Sequence, residues 1–182
     1  MKFADRTITL KDGRTCILTP ATPDMAEEMI DYMKKTSVET PFLTSYPDEI
    51  DFDPEHEREV LGRRLEDPRS AMVAAMVDGK LAGNSSVYGV GAKRKKQHRC
   101  MMGIALVEEF WGLGIGTALI GFLTELARQI GYEQMELIVV ADNKRARALY
   151  EKCGFIECGR QHHGMKFDDG SYHDEILMYK EL

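Results

Sequence analysis

Cys100-Met-Met-Gly-Ile-Ala-Leu-Val-Glu-Glu-Phe-Trp-Gly-Leu-Gly-Ile-Gly116-Thr-Ala-Leu-Ile-Gly-Phe-Leu-Thr-Glu-Leu-Ala-Arg-Gln-Ile130-Gly-Tyr-Glu-Gln-Met-Glu-Leu-Ile-Val-Val140 is the stretch on which the architecture turns. Its first part, from Arg99 to Val107, reads as a strand. From Gly114 the period becomes helical, with Ile115, Leu119, Phe122, Leu126 and Ile130 on one face and Gly131 as the stop. Met135 to Val140 is a short buried strand. A strand, a helix and a strand in immediate succession require a crossover, and hence one parallel pair.

The flanking sequence supplies antiparallel neighbours. Thr7 to Leu18 alternates around Asp12-Gly13, and Ala71 to Val77 and Lys80 to Val90 flank Asp78-Gly79, so both read as hairpins. Between them, Ala26, Met29, Ile30 and Met33 recur at helical spacing over Asp24 to Lys35, and Pro41 and Pro47 break the segment after this helix. Asp53 as N-cap with Pro54 behind it starts a more polar helix toward Glu66. Downstream, Asn143 to Cys153 carries Ala146, Leu149, Tyr150 and Cys153 on one face and closes at Gly154. Phe155 to Phe167 and Tyr172 to Tyr179 form a last hairpin around Asp168-Asp169-Gly170. The fold class is therefore α+β, a mixed, mostly antiparallel sheet with one parallel strand pair flanked by helices. A chain of this length without a Pro/Gly/Ser linker is expected to form a single domain over residues 1–182.

A net charge of −6 argues against binding nucleic acid through a basic footprint; only Lys93, Arg94, Lys95, Lys96 and Arg99 gather positive charge, and they read as a solvated loop. No stretch approaches the ~20 apolar residues of a membrane span. Cys16, Cys100, Cys153 and Cys158 show no CxxC pair and no Cys/His ligand spacing, and His162-His163 on a strand would point to opposite faces. The expectations are a cytoplasmic protein with reduced thiols, no metal, no nucleic acid and no membrane partner.

Chemistry concentrates where the first strand of the opening stretch enters its helix, at Gly112-Leu113-Gly114-Ile115-Gly116-Thr117. A Gly-rich loop at a helix N-terminus gathers unpaired N–H groups and positive dipole, which suits an anion; a tight turn alone is the other reading. The spacing is neither GxxxxGK[ST] nor GxGxxG. About thirty residues on comes Asn143-Lys-Arg-Ala146-Arg-Ala-Leu149-Tyr150-Glu-Lys-Cys-Gly154-Phe155. Together the two blocks resemble the GNAT superfamily of acyl-CoA N-acyltransferases, whose patterns are Gln/Arg-x-x-Gly-x-Gly/Ala and Asn-x-x-Ala-x-x-Leu-Tyr-x-x-x-Gly-Phe. Gly114 and Gly116 fit the first, and Asn143, Ala146, Leu149, Tyr150, Gly154 and Phe155 fit the second. Trp111 stands where the family usually has Gln or Arg, either packing on the sheet or touching the cofactor.

The resemblance implies a GNAT-like fold whose parallel pair splays, with acetyl-CoA as co-substrate. Pantetheine would pair with Ile104, Ala105 and Leu106, and pyrophosphate would sit on Gly112, Leu113, Gly114, Ile115, Gly116 and Thr117. Asn143 would hold the pantetheine arm as well as cap its helix. A branched side chain at Gly116 is expected to occlude the phosphate and crowd the helix start. Tyr150 would be the general acid that reprotonates the departing thiolate; its other reading is a core aromatic. For the base, family positions fall on Cys100 and Ile138, leaving Glu136, two residues from Ile138 on the same strand face, or a water chain.

The resemblance also implies that the helices from Asp24 to Glu66 and the loop between the last two strands line the acceptor pocket. The run from Gly159 to Met178 is similar to the tails of ribosomal-protein N-terminal and spermidine acetyltransferases. This implies transfer from acetyl-CoA to a primary amine of a peptide, amino acid or polyamine by direct ternary-complex attack, in a chain that could act as a homodimer. The acidic stretch Glu49 to Glu59 could attract a cationic amine or be a solvated face. The alternative is a non-catalytic coenzyme A-binding regulatory module.

Overall fold

The computed structural model describes residues 1–182. Eight strands form one sheet: β1 (Arg6–Thr9), β2 (Thr15–Pro20), β3 (Ser70–Val77), β4 (Lys80–Gly89), β5 (Arg99–Leu106), β6 (Gln134–Val140), β7 (Ile156–Lys166) and β8 (Tyr172–Glu181). Their spatial order is β1-β2-β3-β4-β5-β6-β8-β7, with β5 and β6 the one parallel pair. Four helices accompany them: α1 (Ala26–Glu39), α2 (Pro54–Glu66), α3 (Ile115–Ile130) and α4 (Lys144–Lys152). No helix is long and apolar enough to cross a membrane.

Local signals account for most of these boundaries. The Asp53 carboxylate accepts from the Glu55 N–H at the start of α2, and Asn143 Oδ1 accepts from the Ala146 N–H at the start of α4. Gly131, at φ +95°, closes α3 with its N–H on the last carbonyls. The helix predicted from Asp24 begins instead as a 3-10 turn at Pro23–Met25 and runs on to Glu39, where Pro41 ends it. His162-His163 lies within β7, as the sequence suggests, but at an irregularity: the β7–β8 register shifts between Gln161 and Met165, and His163 has φ +54°. No group of three His, Cys, Asp or Glu side chains is placed to hold a metal ion.

β3 is buried along nearly its whole length and packs against both α2 and α3, so the sheet centre is covered on both faces. Of the four helices α3 buries the most apolar side chains, among them Leu119, Ile120, Leu123 and Leu126.

Candidate active site

β5 and β6 pair only from Arg99↔Gln134 to Met101↔Glu136, although β5 continues to Leu106 and β6 to Val140. Each keeps its other neighbour, β4 and β8 respectively, so the two strands part into a V. The closed end is clamped by Arg99, whose Nη2 donates to Glu136 Oε2 at 2.7 Å and whose Nε donates to Oε1, while Gln134 Nε2 donates to Oε1 at 2.7 Å.

At the open end two aromatic side chains occupy the backbone of β5. Tyr32 Oη donates to the Ala105 carbonyl (2.7 Å) and accepts from the Asn84 N–H (3.1 Å), so it is inserted between β4 and β5. Trp111 Nε1 donates to the Leu106 carbonyl (2.8 Å). Groups alternate in direction along a strand; with Ala105 turned to β4, the backbone groups of Ile104 and Leu106 turn toward the V.

A cavity of about 1040 Å³ occupies this opening. Ile104, Ala105, Leu106, Gly112, Gly114, Ile115, Gly116, Thr117, Asn143 and Tyr150 all line it. Leu113 does not; its carbonyl accepts from the Lys11 N–H (3.2 Å), tying the β1–β2 turn to the loop. From Gly112 to Thr117 no backbone N–H has a partner in the chain, and Gly114, at φ +100°, caps α3 with no side-chain acceptor. A run of free N–H groups at the start of a sixteen-residue helix is an anion cradle. Gly112 and Gly114 face open space, where a Cβ would meet nothing within 4 Å. Gly116 differs from expectation. A Cβ there would lie 2.9 Å from Leu149 Cδ2 and 3.5 Å from Leu106 Cδ1, so its bareness serves the packing of α3 against α4 and β5, not a phosphate.

Sequence reasoning missed Arg145. Its guanidinium lies 4.2 Å from the Trp111 ring centroid, both residues line the cavity, and Arg145 has no ion pair. Trp111 thus does two things, bonding the strand end and carrying a cation beside the glycine loop.

Tyr150 is 7% exposed, its ring edge-to-face with Phe155 at 6.0 Å. Burial pushes its phenol up to about 12, and its hydroxyl has no hydrogen bond in the chain. Glu136 is corrected as a base candidate: it lies at the closed end of the V, lines no part of the cavity, and the Arg99 guanidinium holds its carboxyl below the usual range. Cys100 is fully buried, with its thiol pushed up to about 12. The acceptor-side expectation also narrows. Thr40, Phe42, Leu43 and Thr44 from the α1–α2 connection line the cavity, whereas α1, α2, the acidic stretch and the loop between β7 and β8 contribute no lining residue.

The family profile described as Acetyltransferase (GNAT) family matches residues 27–155. YdaF of Bacillus subtilis (strain 168), provisionally named a ribosomal N-acetyltransferase, is 30% identical over 125 residues, 66% of this chain and 63% of YdaF. The chain spans less than two thirds of the length of the Bacillus subtilis relatives it matches. Among solved structures, the acetyltransferase of GNAT family from Streptococcus pneumoniae superposes with a TM-score of 0.87 at 26% identity, over 92% of this chain and 99% of that one. YncA from Salmonella typhimurium, described with its cofactor acetyl-CoA, shares the fold at a TM-score of 0.79 and 16% identity, over 92% and 94% of the two chains.

Proposed function

Because the chain belongs to the acetyltransferase (GNAT) family, we propose that it transfers an acetyl group from acetyl-CoA to a primary amine of a small molecule or peptide, residues 1–182 acting as one domain. The observation that carries this reading is the run of unpartnered N–H groups from Gly112 to Thr117, opening onto a V with free strand backbone. Such a site fits a long ligand with a diphosphate at one end and amides along its length. Gly112 to Thr117 would hold the pyrophosphate, with Arg145 adding charge beside it. The backbone of Ile104 and the N–H of Leu106, whose carbonyl Trp111 already holds, would pair with the pantetheine amides, and Asn143, whose Nδ2 is unused by the helix cap, would hold the same arm.

Bound acetyl-CoA supplies a thioester carbonyl activated toward amines. The chain's own part is to align the amine, exclude water and deliver a proton from the Tyr150 hydroxyl to the leaving sulfur. No cysteine lines the cavity, which supports direct transfer in a ternary complex. Four free cysteines accord with a reducing, cytoplasmic location.

Acetyl-CoA at about a hundredfold excess over its Kd should stabilise the protein by about 2.7 kcal/mol. For a chain of this size that is roughly 5 to 10 °C in Tm. A folded protein that shows no shift at millimolar acetyl-CoA would refute the cofactor assignment, and a shift without coenzyme A release across a panel of amines would leave only a binding module. Arg145→Ala should weaken acetyl-CoA about tenfold, the scale of one charged hydrogen bond, while the melting temperature of the free protein falls by no more than about 1 to 4 °C, since this exposed side chain gives up only its contact with Trp111. Titration calorimetry on both proteins measures it.

A further inference from the structure

Among the residues lining the cavity, Glu175 is the only acid. It lies on β8, paired with Val140 of β6 on one side and Gln161 of β7 on the other. Directly paired residues share a face, so Glu175 stands beside the open arm of the V, whereas Glu136 stands beside the clamped one. Its carboxylate has no hydrogen bond and no ion pair in the chain. Arg160, His162 and His173, on the same two strands, are paired to other carboxylates. Arg160 Nε and His162 Nδ1 contact Asp174 Oδ2 at 2.8 and 3.0 Å, the His163 N–H donates to Asp174 Oδ1 at 3.0 Å, and His173 Nδ1 contacts Asp142 at 2.7 Å.

Room for Glu175 is built into the neighbouring strand. The β7 bulge brings Gly164 against it, and a Cβ on Gly164 would lie 2.5 Å from Glu175 Oε2 and 2.6 Å from its Cγ. Only glycine leaves this carboxylate where it is. A partly buried carboxylate without a partner is costly, and a cation arriving from the cavity offsets that cost. The cavity is polarised accordingly: its cations, Lys11, Arg145 and Lys152, come from the β1–β2 turn and α4, and its one acid comes from β8.

We propose that Glu175 receives the ammonium group of the acceptor and takes a proton from it, and that the acceptor carries a single positive charge beside an apolar group. This rests on the reading of the chain as an acetyl-CoA-to-amine transferase. In the proton step one N–H bond breaks, its electron pair stays on nitrogen as the nucleophilic lone pair, and the proton goes to a Glu175 oxygen. The single charge follows from the single acid, because a polyamine needs several carboxylates. The apolar flank follows from Phe42, Tyr88, Ile138 and Met165, which line the same cavity.

Three probes titrated calorimetrically into the chain without cofactor test this: the tripeptide Met-Ala-Ala amide, its N-acetylated form and spermidine. The free-amine tripeptide should bind tightest and the acetylated form at least about tenfold weaker, the scale of one charged hydrogen bond. Glu175→Gln should lose the same factor for the free amine, and Glu175→Asp should recover part of it. In turnover with the tripeptide, Glu175→Gln should raise KM and lower kcat, with acetyl-CoA affinity unchanged. Equal binding of the free amine by wild type and Glu175→Gln, or tighter binding of spermidine than of the tripeptide, overturns the proposal. Failure of wild type to bind acetyl-CoA overturns the transferase reading instead, and the cofactor-free titrations keep the two failures apart.

Discussion

Tyr150→Phe is expected to lower the rate of acetyl transfer by about 10²- to 10⁴-fold, the range of a positioned general acid, with fold and acetyl-CoA affinity intact. Phe keeps the ring against Phe155, and the hydroxyl it removes has no partner in the chain, so no buried group is orphaned. The proton neutralises the charge that builds on sulfur as the C–S bond breaks, and the thiol so formed titrates near ~8.5 if it behaves like a free Cys. Burial pushes the phenol up to about 12, so it stays protonated across the working range. Any alkaline decline in rate below about pH 11 therefore belongs to another group. An acyl donor with a more acidic thiol should shrink the difference between wild type and variant, since its leaving group needs less protonation. Single-turnover measurements, where chemistry limits the rate, check both effects. Unchanged turnover would make Tyr150 a core aromatic and no more.

The second large effect is on stability. Glu136→Ala should cost about 3 kcal/mol, the lower end for breaking a buried ion pair, because Arg99 is left without its bidentate partner but keeps some access to water. For this chain length that is roughly 6 to 12 °C in Tm. The pH dependence has a definite sign. The folded carboxyl is held below its unfolded value near ~4.3, by the Arg99 guanidinium and then the Gln134 amide, against desolvation. Its contribution is thus fully present above the unfolded value and lost as pH falls through the folded one. The gap in Tm between wild type and variant should be full at pH 7 and close on acidification below about pH 4. Thermal melts across that interval measure it. A variant that melts like wild type but turns over far more slowly would reverse the assignment and restore Glu136 as a base.

The clamp also bears on function. Glu136 and Arg99 hold together the last paired residues of β5 and β6, immediately before the strands part. Loss of the clamp is expected to loosen the apex of the V, so activity at elevated temperature should fall with stability, not ahead of it.

Element order and kind were legible in the chain because their causes are local. The period change at Gly114, the caps at Asp53 and Asn143 and the stop at Gly131 act within a turn of the residues that carry them. The glycine loop and the block from Asn143 to Phe155 were legible for the same reason, and they pointed to one cavity before any contact was known. Tertiary structure alone decided where the V opens, since that depends on β5 and β6 holding β4 and β8 after they stop holding each other. It alone set Arg145 over Trp111, turned Gly116 toward Leu149, and placed Gly164 beside Glu175. The choice between the two carboxylates shows the reason. A strand repeats its faces every second residue, so the sequence places Glu136 and Val140 on one face of β6 without saying which end of that face opens. Only the pairing register places one at the clamp and the other, with Glu175 opposite it, at the opening.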